Sequence, residues 1–292
     1  MEPPLPLSPG EVASFKRDGV LVRRGCIPNA HCAAVRDQLW AAEHHHLRRD
    51  QPESWIGGDH QAWPAGSSEA ARAETDSPES WDDTRMPFFW GYRAFGNQEP
   101  LISLARGTEA WRIASQLLGD GQVIEPRVGA PWWRDRVGDV HQWSPERARG
   151  VLCNLPRAPG AVRTDICANP APGGPHADAL PFHVGMTAYM DDVPPGGGGF
   201  TVWPTSHVQL YQSNPGFGDV VGACHRFDEF GELTGRFTEE LRPAYESVEA
   251  RIRAGSSPAF EFSGEAGDAL FWHSQMFHAR AENHSHPPQS EY

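Results

Sequence analysis

The sequence predicts a mainly β chain with a few helices, and three observations carry that expectation. Among 292 residues, 30 glycines and 27 prolines interrupt any long regular segment. Apolar residues in the second half gather in short aromatic or β-branched runs, such as Phe200-Thr201-Val202-Trp203 and Ala269-Leu270-Phe271-Trp272. Helical periodicity is confined to a few stretches, most of them near the N-terminus. The length suits one elaborated domain over 1–292, since sandwiches and barrels often reach this size as one unit.

Ser8, Pro9 and Glu11 open the first helix: serine at the N-cap, proline at N1 and an acid three residues after the serine. That helix runs to Asp18-Gly19, and Val20-Leu21-Val22 is the first strand. Pro28-Asn29 starts a second helix from His31 to about His46, in which His44-His45-His46 reads as a solvated end rather than a metal tract. Residues 47–84 are polar and glycine-rich, a long loop that serves as a lid or as a simple insertion. An aromatic segment with Trp90 and Phe95 leads to a helix from Leu101 to Leu118, stopped by Gly119. Val123 to Val128 reads as a strand. Residues 130–149 concentrate Trp132, Trp133, Arg134, Arg136, His141, Trp143, Arg147 and Arg149, as a loop that grips a substrate or as a surface segment.

His183 to Asp191 alternates loosely as a strand, 194–199 is a turn, and Pro204 ends the strand from Phe200 to Trp203. Residues 216–254 form an insertion with a helix near Phe237 to Arg253. Strand-like runs at Ala259-Phe260-Glu261-Phe262 and Ala269-Leu270-Phe271-Trp272 flank a turn at Gly264 to Asp268. No internal repeat is visible.

A formal charge of −13, with no basic run, argues against nucleic acid, which needs a clustered positive footprint. No stretch is long and apolar enough for a membrane span, and the start of the chain lacks a signal-peptide pattern. The five cysteines have neither the spacing of a zinc site nor that of a disulfide framework, so we expect reduced thiols and a cytoplasmic protein.

The chemistry-bearing stretch is His176-Ala177-Asp178 with His278 about a hundred residues later. Side chains two apart on an extended segment share a face, so His176 and Asp178 can reach one ion. A distant histidine would complete the 2-His-1-carboxylate face of non-haem Fe(II) oxygenases, which leaves open positions on the metal. Fourteen histidines would supply about one such H-x-D by chance, so the motif needs its context.

That context resembles the phytanoyl-CoA dioxygenase family of Fe(II)- and 2-oxoglutarate-dependent oxygenases. The opening helix and strand, His176-Ala177-Asp178, the segment from Gly196 to His207 and the segment from Gly267 through His273 to His278 and Asn283 are similar to that family's motifs, in the family's order. The resemblance implies a double-stranded β-helix, that is, a cupin-like jelly roll, flanked by N-terminal and inserted helices. It implies Fe(II), 2-oxoglutarate and O2 as cofactor and cosubstrates, with His176, Asp178 and His278 as metal ligands and Thr187 near the cosubstrate. His273, His183 and His207 would be structural or would support the ligands. The implied reaction is hydroxylation of a small organic molecule with release of succinate and CO2, and an aspartate at 178 argues against halogen transfer.

One departure stands out. The family's arginine for the far carboxylate of 2-oxoglutarate would fall near Gln289, and the last barrel strand has no room before Tyr292. Either that strand lies beyond 292, or Arg280, two residues after His278 and hence on its face, takes the role. The alternatives to a hydroxylase are a catalytically silent jelly-roll binding protein and a cupin-like metalloenzyme without 2-oxoglutarate. Trp132, Trp133 and Arg134 favour a substrate with an apolar body and an anionic handle. Substrate identity and oligomeric state are not legible.

Overall fold

The computed structural model describes residues 5–41, 48–56, 83–86, 89–92, 94–106, 108–119, 123–130, 133–137, 140–143, 148, 150–163, 165–168, 174–177, 184–213 and 238–285. Helices and antiparallel sheets alternate along the chain.

Helix α1 (Pro9–Asp18) begins with the capping box its sequence predicts: Ser8 Oγ accepts from Glu11 N at 3.3 Å, and Ser8 N donates to Glu11 Oε2 at 2.8 Å. Gly19 ends it in the left-handed region at φ 74°, donating to Phe15 O. Strand β1 (Val20–Arg23) follows, then α2 (Asn29–Ala41), which starts two residues earlier than predicted. The predicted end of α2, with His44 to His46, lies outside the described residues. Of the expected 47–84 loop, residues 48–56 and 83–84 are described. A 3-10 turn at Pro52–Trp55 stacks Trp55 on Trp40, with ring centroids 5.4 Å apart, and β2 (Asp83–Met86) pairs with β3 (Phe89–Tyr92).

The single helix expected from Leu101 to Leu118 is two: α3 (Glu99–Ala105) and α4 (Glu109–Leu118). Thr108 serves as N-cap of the second, so its Oγ1 donates to Leu104 O and the chain turns between them. The strand expected from Val123 to Val128 does not form. Pro126 offers no N–H, Gly129 turns the chain at φ 73°, and Ile124 and Val128 stand half in solvent, 51 % and 45 % exposed. The expected 130–149 loop is instead a hairpin of β4 (Trp133–Val137) and β5 (Val140–Trp143). Strand β6 (Val151–Asn154) pairs with β3.

Two three-stranded sheets dominate the second half. The first has the order β1, β10 (Ala269–His273), β7 (Val184–Ala188); the second has β11 (His278–Arg280), β8 (Phe200–Val202), β9 (Phe260–Glu261). Strand alternation sorts the first sheet cleanly. Leu21, Ala269, Phe271, Val184 and Ala188 pack toward α1, α2, α3 and α4, with Phe15, Val35, Leu104 and Ile113. Val20, Val22, Leu270 and Trp272 face the other way, against Phe200, Val202 and Phe262. The second sheet covers its back with two more helices. Helix α5 (Ser206–Ser213) follows the strand that Pro204 ends, and α6 (Thr238–Arg253) buries Ala244, Tyr245, Val248 and Ile252 at helical spacing against Trp203, Phe277 and Ala279.

The turn before β10 is tied to the start of the chain by Asp268. Its carboxylate accepts from Arg24 Nη1 at 2.6 Å, Gly25 N at 2.8 Å and Glu265 N at 2.9 Å. Burial opposes its ionisation, but Arg24 and the two backbone N–H groups outweigh it and hold the carboxyl below its usual range. Among the described residues no helix is long and apolar enough to cross a membrane, and Cys26, Cys32, Cys153 and Cys167 are free.

Candidate metal centre

The second sheet gains an edge at His176. This residue and His278 exchange both backbone hydrogen bonds: His176 N donates to His278 O at 3.0 Å, and His278 N donates to His176 O at 2.8 Å. Residues 102 positions apart in the chain are thereby locked side by side, and their imidazole centroids stand 4.5 Å apart with planes tilted 51°. Two imidazoles bound at a right angle to one ion, each at about 2.1 Å, would place their centroids roughly 4.6 Å apart.

Each ring is also held in one tautomer. His176 Nδ1 lies 2.8 Å from Gly174 O, and His278 Nδ1 lies 3.0 Å from Met276 O. A carbonyl only accepts, so each Nδ1 carries a proton, and in the neutral ring that tautomer leaves the lone pair on Nε2. Backbone carbonyls behind ligand imidazoles are the usual device for aiming Nε2 at a metal. His278 is 6 % exposed, boxed by Trp272 at 4.8 Å and Phe200 at 5.3 Å between centroids. The segment before it, Ser274 to Phe277, is buried. Phe277 N donates to Ser206 Oγ at 2.9 Å, and Phe277 O accepts from Trp203 N at 2.9 Å, so the approach to His278 is fixed on both sides.

The other expected residues sort as follows. Asp178, His183 and Trp132 lie outside the described residues. Among the described residues no group of three or more His, Cys, Asp or Glu stands where it could share an ion, so the described donors are the two imidazoles. Arg280 follows His278 on β11 and shares its face, in register with Phe200. Burial lowers its pKa to about 10. Thr187 sits on β7, where its Oγ1 accepts from Trp272 Nε1 at 3.2 Å, so it connects through one ring to His278. Trp133 and Arg134 fall on the β4–β5 hairpin rather than a loop.

Three other described histidines have partners of their own. His207 and His273 stack on each other with centroids 4.8 Å apart, and His284 Nε2 meets Glu282 at 2.9 Å. Sequence reading missed Trp272 and Phe200 as walls of the site. The alternation along β10 and β8 carried that signal, since Trp272 shares a face with Leu270, and Phe200 with Val202.

A family model described as phytanoyl-CoA dioxygenase matches residues 15–289. No curated relative matches the chain. Solved structures similar to it include the non-haem, alpha-ketoglutarate-dependent carbocyclase SnoK of nogalamycin biosynthesis, at 15% identity over 98% of this chain and 83% of that one, TM-score 0.45. AviO1 from Streptomyces viridochromogenes Tue57 is 15% identical over 95% and 89%, TM-score 0.44. EctD from S. alaskensis, solved with bound Fe, is 14% identical over 96% and 73%, TM-score 0.41.

Proposed function

The chain belongs to the phytanoyl-CoA dioxygenase family, and from that premise we propose that it is an Fe(II)- and 2-oxoglutarate-dependent oxygenase that hydroxylates a small organic molecule. The observation that carries the reading is the His176–His278 bridge, which sets two imidazoles side by side with each Nδ1 on a backbone carbonyl. This donor set fits iron. Asp178 is the third ligand, and the two sheets with their helices belong to a cupin-like jelly roll.

When bound, iron(II) with 2-oxoglutarate and O2 supplies a two-electron oxidation that puts one oxygen atom into the substrate and the other into succinate, with release of CO2. The chain's own residues do the rest. His176 and His278, with Asp178, would hold the ion by three protein ligands and so leave room for 2-oxoglutarate and O2. Arg280 meets the far carboxylate of 2-oxoglutarate as a charge-assisted pair from within the fold, and Thr187 adds a hydroxyl from the facing sheet. Phe200 and Trp272 exclude water around His278. The hairpin that bears Trp133 and Arg134, with Trp132 before it, grips an apolar substrate by an anionic group, and an R134A variant with unchanged substrate affinity would remove that assignment. The free thiols favour a reducing cytoplasm.

The test is anaerobic loading with Fe(II), followed by 2-oxoglutarate and air. We expect succinate above a metal-free control, and a loss of it in H176A and H278A. Protein that binds neither iron nor 2-oxoglutarate sinks the oxygenase and points to the silent binding protein. Iron binding without affinity for 2-oxoglutarate points to a cupin-like metalloenzyme.

A further inference from the structure

We propose that Trp272 is a positioning residue of the cosubstrate pocket: its indole N–H sets Thr187 as a hydrogen-bond donor toward an anionic oxygen, while its ring fixes the plane of His278. The inference rests on the iron and 2-oxoglutarate reading above. It adds to that reading a residue that carries no charge and binds no metal.

Strands β10 and β7 run antiparallel, with Trp272 opposite Gly185 and Leu270 opposite Thr187. Trp272, Gly185 and Thr187 therefore share the face that looks toward the second sheet. An indole lies across this face only because residue 185 has no side chain. A Cβ there would stand 2.4 Å from Trp272 Cε2 and 2.6 Å from Cζ2, distances no carbon pair tolerates. The bare backbone at Gly185 lets the ring reach Thr187, where Nε1 donates to Oγ1 at 3.2 Å.

That bond decides what the threonine can do. An indole N–H donates and never accepts, so Thr187 Oγ1 is the acceptor here and its own hydrogen points elsewhere. Among the described residues no acceptor takes that hydrogen. A hydroxyl on the interior face, with its oxygen engaged and its proton on offer, is a donor for a carboxylate or keto oxygen. The centroid of the same indole ring lies 4.8 Å from that of the His278 imidazole, tilted 44°, and 5.3 Å from that of Phe200, tilted 43°. One rigid ring thus sets two groups, the imidazole on the second sheet and the hydroxyl on the first. Turning it to release one disturbs the other.

The experiment compares wild type, W272F, T187A, T187S and the W272F/T187A double variant, each loaded with Fe(II) without oxygen. The dissociation constant of 2-oxoglutarate is read by calorimetry, and KM and kcat by succinate release. Loss of one neutral hydrogen bond is worth about 5-fold. W272F keeps an aromatic ring but no N–H, and we expect it to weaken 2-oxoglutarate binding by about 3- to 10-fold, with KM rising more than kcat falls. T187A removes the donor to the anionic oxygen itself and weakens binding by about 10-fold or more, T187S restores most of the affinity, and the double variant is no worse than T187A, because the indole acts through that hydroxyl. W272F or T187A that binds 2-oxoglutarate like the wild type overturns the inference, as do losses that multiply in the double variant. T187A and T187S keep the indole in place, so they decide the matter even if W272F folds poorly. Wild-type protein that binds no 2-oxoglutarate at all instead fails the oxygenase reading itself, and this inference with it.

Discussion

Among the described residues two close imidazole pairs look alike by distance and differ in their surroundings. His176 and His278 lie 4.5 Å apart, His207 and His273 4.8 Å. In the first pair both Nδ1 atoms donate to carbonyls two residues back, and the backbones are locked by reciprocal hydrogen bonds. In the second pair the nitrogens serve the scaffold. His207 Nε2 lies 3.3 Å from Lys16 O, and His273 Nδ1 accepts from Gln275 N at 3.2 Å. The remaining nitrogen of His207 faces Gly19 so closely that a Cβ there would stand 2.4 Å away. Residue type and separation do not make a metal site. What lies behind each ring differs: backbone carbonyls two residues back in the first pair, the helix and turn of the scaffold in the second.

The comparison breaks most sharply by substitution at the rings. H176A or H278A is expected to lower iron affinity by more than about 100-fold, beyond the effect of changing a residue that merely supports a ligand, while H273A stays within a few-fold of wild type. Calorimetric iron titration reads both. Equal losses at His273 and His278 would erase the distinction drawn here.

Gly19→Ala is the next largest effect, and it falls on the structural pair alone. The residue sits at φ 74°, and its new methyl would meet His207 Nδ1 and Met276 Cε, both at 2.4 Å. We expect a stability loss of about 2–3 kcal/mol in urea unfolding, with iron affinity per folded molecule little changed. Ser206→Ala sharpens the link between the two regions. It removes the acceptor of the buried Phe277 N–H, one residue before His278, and should cost about 1–2 kcal/mol of stability. Here iron affinity should fall as well, because the backbone that presents His278 loses a support.

The smallest effect is a pH dependence. Burial lowers the His207 pKa, against the raising effects of the Lys16 carbonyl and the Asp18 carboxylate, and the groups facing its ring are Asp18 on α1 and His273 on β10. The folded state thus prefers neutral His207. Its stability contribution is present above the unfolded value of about 6.5 and is lost as pH falls below it toward the depressed folded value. His207→Gln should flatten that part of the stability profile below about pH 6.5. An unchanged slope in the variant would assign the acid sensitivity to other groups.

Much of this arrangement was legible beforehand where the signal is local. The capping box at Ser8 and Glu11, the stop at Gly19, the helix ending at Arg253 and the short runs around Phe200 and Ala269 all formed near their expected bounds. The failures came where neighbours in space overrode the local pattern. Val123 to Val128 has strand-forming residues but no partner strand, and residues 133–143 look like a loop until they pair with themselves. Helix α5 was hidden because the Pro204-Thr205 turn read as an end, whereas Thr205 takes a left-handed φ of 70° and, with its N–H on Asp18 O, leads into a new helix.

By itself the sequence marked His176 and Asp178 as candidates that share a face, because strand alternation is a property of a short segment, and the family resemblance singled out His278 beside them. Only the tertiary structure decided that the His176 and His278 rings meet at 4.5 Å with each Nδ1 on a backbone carbonyl, and that Trp272 spans from His278 to Thr187. Such facts depend on the register between strands distant in the chain and on which carbonyl lies behind each ring. No local pattern encodes either.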